Sequence, residues 1–200
     1  MPSKLDIFNR WAPFYDSPLT TVFYQAVHTR LLESITLPPH ANVLDLGCGT
    51  GKLLSRLLKE RPDLAATGID FSAEMLTQAQ RQNPDPDRLT YVQGRTEALP
   101  LPDAQFDTAF CTISFLHYPD PVAVLRDVRR VLKPGGQFHL ADYIPSRLSA
   151  QDTLTIPILA GDVRFYSPQS RSKLAQQAGL VVEQHHYLLG PILLTTLTKP

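Results

Sequence analysis

Short apolar runs alternate with amphipathic stretches along the middle of the chain. Five runs are apolar along most of their length, which is typical of parallel strands covered on both faces. They are Asn42–Leu46, 65–69, Leu89–Gln93, Phe106–Thr112 and 136–142. Parallel strands need crossover connections, so the pattern predicts a sheet built from β-α-β units.

The amphipathic stretches between these runs predict helices that pack on the sheet. Apolar positions at helical spacing and capping residues predict them over 52–60, 73–82 and 121–132. Ser72 is a typical N-cap, and Asp120 followed by Pro121 is a typical helix start. The Lys-Pro-Gly-Gly sequence at 133–136 ends the third helix and precedes the fifth strand.

The two ends of the chain differ from this middle part. Residues 1–38 are predicted to be helical, and 146–161 fits neither a helix nor a strand clearly. A helix over 168–179 ends at a glycine, and two β runs follow at 180–189 and Ile192–Thr198. The Gly190-Pro191 connection is so short that these two strands must be antiparallel. The expected fold is therefore one α/β domain, 1–200, with a doubly wound, Rossmann-like, mostly parallel sheet of seven strands, helices on both faces and an antiparallel C-terminal hairpin.

Composition excludes several classes of protein. The 200 residues include 19 basic and 19 acidic side chains, whereas a dedicated nucleic-acid binder usually has a basic excess. Two cysteines, Cys48 and Cys111, make neither a disulfide framework nor a four-ligand zinc site. No apolar run is long enough to cross a bilayer, and the first residues do not resemble a secretory signal. We expect a cytoplasmic protein without stable membrane insertion, nucleic acid or metal.

The sharpest local signal is the sequence VLDLGCGTG at 43–51. Its glycines lie where a strand ends, the place where open α/β sheets bind ligands. A P-loop would need Ser or Thr after Gly51-Lys52, and a dinucleotide fingerprint has a different glycine spacing. Asp45 would repel a pyrophosphate but suits a ligand with an ammonium or sulfonium group. A glycine-rich turn without a ligand is the remaining alternative.

Asp70 ends the second predicted strand. In a doubly wound fold this position places a carboxylate beside the glycine loop, where it can accept both hydroxyls of a ribose. Together, Asp45, Asp70 and the glycines favour a cationic nucleoside such as S-adenosylmethionine.

Four segments resemble the class I S-adenosylmethionine-dependent methyltransferases. These are VLDLGCGTG, GIDFSAEML, YVQGRTEALPLPDAQFD and LRDVRRVLKPGG, which fall within about residues 40–142. ALPLPDAQFD and LHYPDP are most similar to the branch that contains the ubiquinone and menaquinone C-methyltransferases. The resemblance implies S-adenosylmethionine as methyl donor, S-adenosylhomocysteine as product, and a division into an N-terminal helical lid (1–38), a cofactor-binding core (40–142) and an acceptor-side insertion with the hairpin (143–200).

The resemblance also implies a set of cofactor-binding residues. These are Asp45, Gly47, Cys48, Gly49, Gly51, Asp70, Phe71, Met75, Gly94, Arg95, Thr96 and Glu97. Family members often have an acidic residue directly after the glycine of the third strand, where it contacts the adenine amino group. Here that residue is Arg95, which cannot accept a hydrogen bond, so Glu97 or a backbone carbonyl would take its place.

Candidate acceptor-side residues follow the fourth and fifth strands. His117 could orient or deprotonate an acceptor, or it could be a half-buried loop histidine. The same two alternatives apply to Tyr118. Tyr143 ends the fifth strand and follows Asp142. Asp142 could contact the acceptor or could cap a following helix. Tyr15, with Trp11 and Phe14, could cover donor and acceptor or could simply belong to the core.

The resulting hypothesis is methyl transfer to a small apolar or aromatic acceptor, such as a quinone precursor, a phenol or an amine. We expect a monomer or homodimer. The rival is a non-catalytic S-adenosylmethionine-binding or assembly protein on the same fold, because fold alone does not determine function. A nicotinamide oxidoreductase shares the sheet but would have a different glycine spacing.

Overall fold

The structure is a computed structural model that describes residues 18–83, 85–145, 148, 152–158 and 161–200. The strands are β1 (Asn42–Leu46), β2 (Ala65–Asp70), β3 (Leu89–Gln93), β4 (Phe106–Thr112), β5 (Leu132–Tyr143), β6 (Thr153–Ile158), β7 (Gly161–Tyr166), β8 (Val181–Leu189) and β9 (Ile192–Thr198). The helices are α1 (Pro18–Glu33), α2 (Lys52–Glu60), α3 (Ala73–Arg81), α4 (Pro121–Val131) and α5 (Pro168–Ala178), with a short 3-10 helix at Phe115–His117.

Seven strands form one sheet in the order β3-β2-β1-β4-β5-β9-β8. The first five are parallel, whereas β9 is antiparallel to both β5 and β8. The strand order reverses at β1, which pairs with β2 on one side and β4 on the other. Ligands bind at such a switch point, in the crevice beyond the carboxyl ends of the strands. The predicted seven-stranded sheet is confirmed.

Two hydrophobic cores cover the two faces of the sheet. On one face, Val27 and Leu31 of α1 and the leucines of α2 pack with Val43 and Phe110. The opposite core contains the buried residues of α4 and α5 together with Phe106 and Phe138. Because side chains alternate along a strand, Val43 and Asp45 of β1 point to the α1 side. The first core therefore leads directly to the carboxyl edge where Asp45 lies.

Most predicted elements begin and end within a residue or two of their structural limits, with one clear exception before β5. The helix predicted to reach Leu132 ends at Val131, and β5 begins at once instead of at Gly136. Register moves from the pair Phe106–Leu132 to the pair Thr108–Gln137, so residues 133–136 form a bulge. Lys133 Nζ lies 2.8 Å from both carboxylate oxygens of Asp107, which fixes this bulge to β4.

The segment 146–161, which the sequence left ambiguous, contains β6, and β7 begins at its last residue and pairs with β6 as an antiparallel hairpin. All six residues of β6 are exposed, including Leu154, Ile156 and Ile158. Arg164 of β7 donates to the carbonyl of Pro119, 2.6 Å away, and so ties the hairpin to the loop before α4. The hairpin therefore lies on the side of the sheet where β4 ends.

Candidate functional site

The glycine loop follows β1 and is held against the end of β2. The N–H groups of Gly47 and Cys48 both donate to the carbonyl of Ile69, at 2.8 and 3.0 Å. Gly47, Gly49 and Gly51 have φ values of 68°, 53° and 75°, in the left-handed region that favours glycine. Any other residue at these three glycine positions would therefore strain the backbone of the loop.

Two of these glycines also allow close contacts. A Cβ on Gly51 would lie 2.0 Å from the Tyr91 hydroxyl, and a Cβ on Gly47 would lie 2.6 Å from Ser114 Oγ. The loop is therefore packed against β3 through Tyr91 and against the segment after β4 through Ser114.

Two buried carboxylates lie at this loop. Asp70 Oδ2 accepts the N–H of Gly49 at 3.0 Å, and its Oδ1 accepts the N–H of Ser72 at 2.9 Å. Asp45 is 2% exposed, and its Oδ1 has no hydrogen-bond partner among the described residues. Burial raises the pKa of both carboxyl groups, and the charge of Asp70 raises the pKa of Asp45 further. An unsatisfied acceptor beside a second acidic group favours a cationic ligand with N–H donors.

A cavity opens above the glycine loop and Asp45, and Asp70 is not part of its lining. Its lining includes four predicted residues, Asp45, Gly47, Cys48 and Gly49, and six others, Tyr24, His28, Thr50, Lys52, Leu53 and Thr112. Tyr24 and His28 are four residues apart on α1, so both lie on the face that covers the loop. Neither residue is among those that the sequence predicts for the site. The available signal was a tyrosine and a histidine four residues apart, on one face of a helix.

His28 is buried beside two basic side chains of α2. Its exposed fraction is 7%, and burial together with the charges of Arg56 and Lys52 lowers its pKa to about 4. The imidazole is therefore neutral at physiological pH. It adds no positive charge to the cavity that contains Asp45.

The residues after β3 form the other flank of the site. The Gly94 N–H donates to the backbone carbonyl of Asp70 at 3.0 Å, which places this segment next to Asp70. The Arg95 side chain is 74% exposed and lies 3.6 Å from Glu97, whose side chain is only 18% exposed. The acidic side chain of Glu97 is thus largely enclosed, whereas the basic side chain of Arg95 is mostly exposed. Thr96, between them, is buried.

Phe71 and Met75 connect this flank to α3. Phe71 is half-buried, and its carbonyl accepts the side-chain amide of Gln93 at 3.2 Å. Met75 is buried, and its N–H donates to Ser72 Oγ at 3.2 Å, the N-cap bond predicted for this helix. The predicted cofactor residues therefore line one continuous edge of the sheet, from β1 through β2 to β3.

The segment after β4 is strained and touches the loop. Ile113 has φ 51°, which is an outlier for a β-branched residue. The next residue, Ser114, donates its hydroxyl to the carbonyl of Leu46 at 3.1 Å. His117 follows in the 3-10 helix, half-buried, with its N–H donating to the carbonyl of Ser114 at 3.0 Å. Backbone strain of this kind concentrates at functional sites.

Asp142 does not cap a following helix, since β5 continues through Tyr143 and no helix begins before α5 in the described residues. Instead, its Oδ2 accepts the N–H of Leu116 at 2.9 Å, so it holds the 3-10 helix that carries His117. Burial raises the pKa of Asp142 to about 6, although the charge of Arg171 opposes this rise. Asp142 thus supports the 3-10 helix.

Tyr143 lies at the end of β5 and is 38% exposed. Its ring packs edge-on against Phe165 of the β6–β7 hairpin, with centroids 5.7 Å apart. Neither Tyr143 nor His117 lines the cavity above Asp45. Tyr15, Trp11 and Phe14 lie outside the described residues, so their predicted role stays a prediction.

Comparison with known proteins identifies the family. Residues 44–140 match the family described as a methyltransferase domain. The chain is 31% identical over 162 residues to 27-O-demethylrifamycin SV methyltransferase of Amycolatopsis mediterranei, a match that covers 77% of this chain and 59% of that protein. The chain belongs to the methyltransferases. This methyltransferase is also 30% identical over 143 residues to demethylmenaquinone methyltransferase of Listeria welshimeri, covering 68% of the chain and 60% of the relative.

A solved structure shows the same fold. A chain in the complex of the Haloferax volcanii Trm112 methyltransferase activator matches with a TM-score of 0.82 at 22% identity, covering 99% of this chain and 98% of that one. The methyltransferase spans about 60% of the length of the two curated relatives. Within the described residues, no helix is long and apolar enough to cross a membrane, and no group of three or more His, Cys, Asp or Glu side chains is arranged to hold a metal ion.

Proposed function

We propose that this methyltransferase transfers the methyl group of S-adenosylmethionine to a small, apolar or aromatic acceptor, such as a quinone precursor, a phenol or an amine. The observation that carries the proposal is the pair of buried carboxylates at the glycine loop. Asp45 keeps an unsatisfied oxygen there, and Asp70 is fixed by the N–H of Gly49.

The residues on this edge suit the parts of the cofactor. Asp45 would accept N–H groups of the methionine ammonium, and the loop from Gly47 through Cys48 and Gly49 to Gly51 would follow the amino-acid and ribose portions. Asp70 would hold the ribose hydroxyls, because each of its oxygens retains a second lone pair beyond its backbone bond. Phe71, Met75 and the segment Gly94, Arg95, Thr96 and Glu97 would surround the adenine. S-adenosylmethionine supplies an activated methyl group when bound.

The protein then has to align the acceptor and exclude water, since the donor needs no further activation. His117 would orient the acceptor or remove its proton. Tyr143, packed on Phe165, would offer an aromatic wall at the end of β5. Tyr15 would belong to the N-terminal lid, which would comprise residues 1–38.

Two observations favour a small apolar acceptor. The β6–β7 hairpin carries the aliphatic side chains Leu154, Ile156 and Ile158 on the side where β4 ends. The two curated relatives are named for methylation of a demethylmenaquinone and a demethylrifamycin, which are small molecules. We accordingly propose a cytoplasmic monomer or homodimer that binds neither nucleic acid nor a catalytic metal and does not insert stably into membranes.

A second candidate is an S-adenosylmethionine-binding protein that acts in an assembly. The observation in its favour is the structural neighbour found in a complex with a methyltransferase activator. In that case the protein would bind the cofactor but would turn over no small acceptor when assayed alone.

The test is an acceptor screen with S-adenosylmethionine carrying a labelled methyl group, against panels of quinols, phenols and amines. Methyl transfer to one class, with formation of S-adenosylhomocysteine, is the expected result. The triple variant of His117, Tyr15 and Tyr143 to Ala should lose that transfer while it still binds cofactor. If the wild type binds cofactor but methylates nothing, the assembly role becomes the better account; if the triple variant turns over normally, the assigned acceptor roles are wrong.

A further inference from the structure

A second cavity lies between α1 and α2, beside the cofactor cavity. We refer to it as the α1–α2 cavity; it is lined by Gln25, His28, Lys52, Ser55, Arg56 and Gln82. Its volume is about 230 Å³. It shares His28 and Lys52 with the cofactor cavity, so these two side chains form the wall between the two spaces.

The described lining of the α1–α2 cavity is polar, and its charged side chains are basic. Among the residues that the structure describes, it contains two basic side chains, Lys52 and Arg56, and three neutral polar ones, Gln25, Ser55 and Gln82, but no carboxylate. The remaining side chain, His28, is buried and kept neutral by its surroundings. The described walls therefore provide no acidic partner for the Arg56 guanidinium.

Arg56 has donors available for a ligand. Its guanidinium donates to Thr29 Oγ1 through one nitrogen, and it makes no ion pair among the described residues. A guanidinium carries five N–H donors in a planar fork that matches the two oxygens of a carboxylate or phosphate. Thr29 orients the fork, and the remaining donors suit an oxyanion.

From this arrangement we propose that the α1–α2 cavity binds the carboxylate or phosphate group of a small acidic molecule, next to the cofactor and separately from it. Arg56 supplies the charge-assisted hydrogen bonds, and the Gln25 amide supplies neutral donors. A cavity of about 230 Å³ is smaller than the roughly 300–1,000 Å³ typical of drug-sized ligands. It takes one acid group or a small anion. This inference does not depend on the proposed acceptor class.

The test is anion binding to the 200-residue chain, measured by calorimetry and by the rise in Tm. The probes are inorganic phosphate, acetate and benzoate, each compared with chloride at equal ionic strength because exposed charges are screened by salt. At least one oxyanion should raise the Tm above the chloride value. Tighter binding of benzoate than of phosphate would identify an organic acid as the ligand, and the reverse order would identify a phosphate compound.

Three variants make the test specific. Arg56→Gln should weaken oxyanion binding at least tenfold, whereas Lys59→Gln, which removes the same charge from an exposed position on the same helix, should leave it within twofold. Gln25→Glu places a carboxylate in the cavity wall and should also abolish binding. Because Gln25 is exposed, this variant keeps the test valid if Arg56→Gln does not fold.

Three results would overturn the inference. The first is that no oxyanion stabilises the protein more than chloride does. The second is equal binding by the wild type and the Gln25→Glu variant. The third is competition: if saturating S-adenosylmethionine displaces phosphate, the cofactor's own carboxylate occupies the cavity and there is no separate site.

Discussion

The Tyr118 hydroxyl lies 2.8 Å from Ser114 Oγ, directly against Gly47 of the glycine loop. Ser114 gives its single proton to the carbonyl of Leu46, so Tyr118 is the donor in this pair. Burial raises the pKa of Tyr118 well above its ordinary value, which keeps the hydroxyl protonated. The segment after β4 therefore supports the glycine loop through two linked hydrogen bonds, from Tyr118 to Ser114 and from Ser114 to the carbonyl of Leu46.

Tyr118→Phe removes one of these bonds and keeps the ring. We expect the affinity for S-adenosylmethionine to fall roughly fivefold, which corresponds to about 1 kcal/mol for one hydrogen bond. Calorimetric titration of the variant measures this. Tyr187→Phe, which alters a tyrosine that is 60% exposed on β8, is the matched control and should bind like the wild type. Equal affinity of all three proteins would show that Tyr118 does not support the loop.

Gly51→Ala and Gly135→Ala separate backbone strain from steric contact. Their φ values are nearly the same, 75° and 76°, but a Cβ on Gly51 meets Tyr91 whereas a Cβ on Gly135 has nothing within 4 Å. Gly135→Ala should cost about 1–2 kcal/mol of unfolding free energy and leave cofactor binding intact. Gly51→Ala should cost more and lose most cofactor affinity. Urea denaturation and calorimetry test this, and equal effects of the two substitutions would contradict the proposed packing of the loop.

Asp70→Ala removes both the proposed ribose contact and the acceptor of the Gly49 N–H. Cofactor affinity should fall at least tenfold, about 1.4 kcal/mol. Asp87→Ala, an exposed aspartate before β3, is the control and should bind normally. Unchanged affinity in a folded Asp70→Ala protein would remove the ribose assignment.

The pH dependence of cofactor binding reports on Asp45. Its pKa is raised in the free protein by burial and by Asp70, whereas a bound cation favours the ionised form. Binding of S-adenosylmethionine should therefore release protons, and affinity should rise with pH until the carboxyl group is fully ionised. Calorimetry in buffers of different ionisation enthalpy measures the proton release, which Asp45→Asn should reduce. Proton uptake on binding would contradict this assignment.

Asp142 predicts a pH dependence of stability. Its pKa rises from 3.8 unfolded to about 6 folded, so its stabilising contribution is complete below pH 3.8 and is lost as pH rises through 6. Between pH 5 and 7.5 the wild type should lose about 1–1.5 kcal/mol of unfolding free energy relative to Asp142→Asn. Urea denaturation at both pH values measures the difference. A constant difference would mean that the folded pKa is not raised.

The sequence predicted the parts of the site that are local in the chain. The glycine spacing and Asp45 lie within one strand and loop, and Asp70 ends the neighbouring strand, so β-α-β topology alone brings them together. The Ser72 cap and the Gly190-Pro191 turn are likewise determined by adjacent residues. These features needed no knowledge of how the helices pack.

The missed parts depend on contacts between distant segments. Tyr24 and His28 reach the cavity only because α1 packs on the face of the sheet to which Val43 of β1 points, and a helix pattern does not specify which face of a sheet it covers. The left-handed conformation of Ile113 opposes its own β-branched preference, so nothing local indicates it. Pro157 argues against a strand at this position in the sequence. In the structure, β6 accommodates this proline because it lies near the end of a two-stranded hairpin.

The most direct test of the account is calorimetric titration of the purified protein with S-adenosylmethionine, S-adenosylhomocysteine and NAD. The two carboxylates at the glycine loop predict binding of the first two ligands and none of the third. Binding of NAD, or no binding of any of the three by a folded protein, would contradict the cofactor assignment.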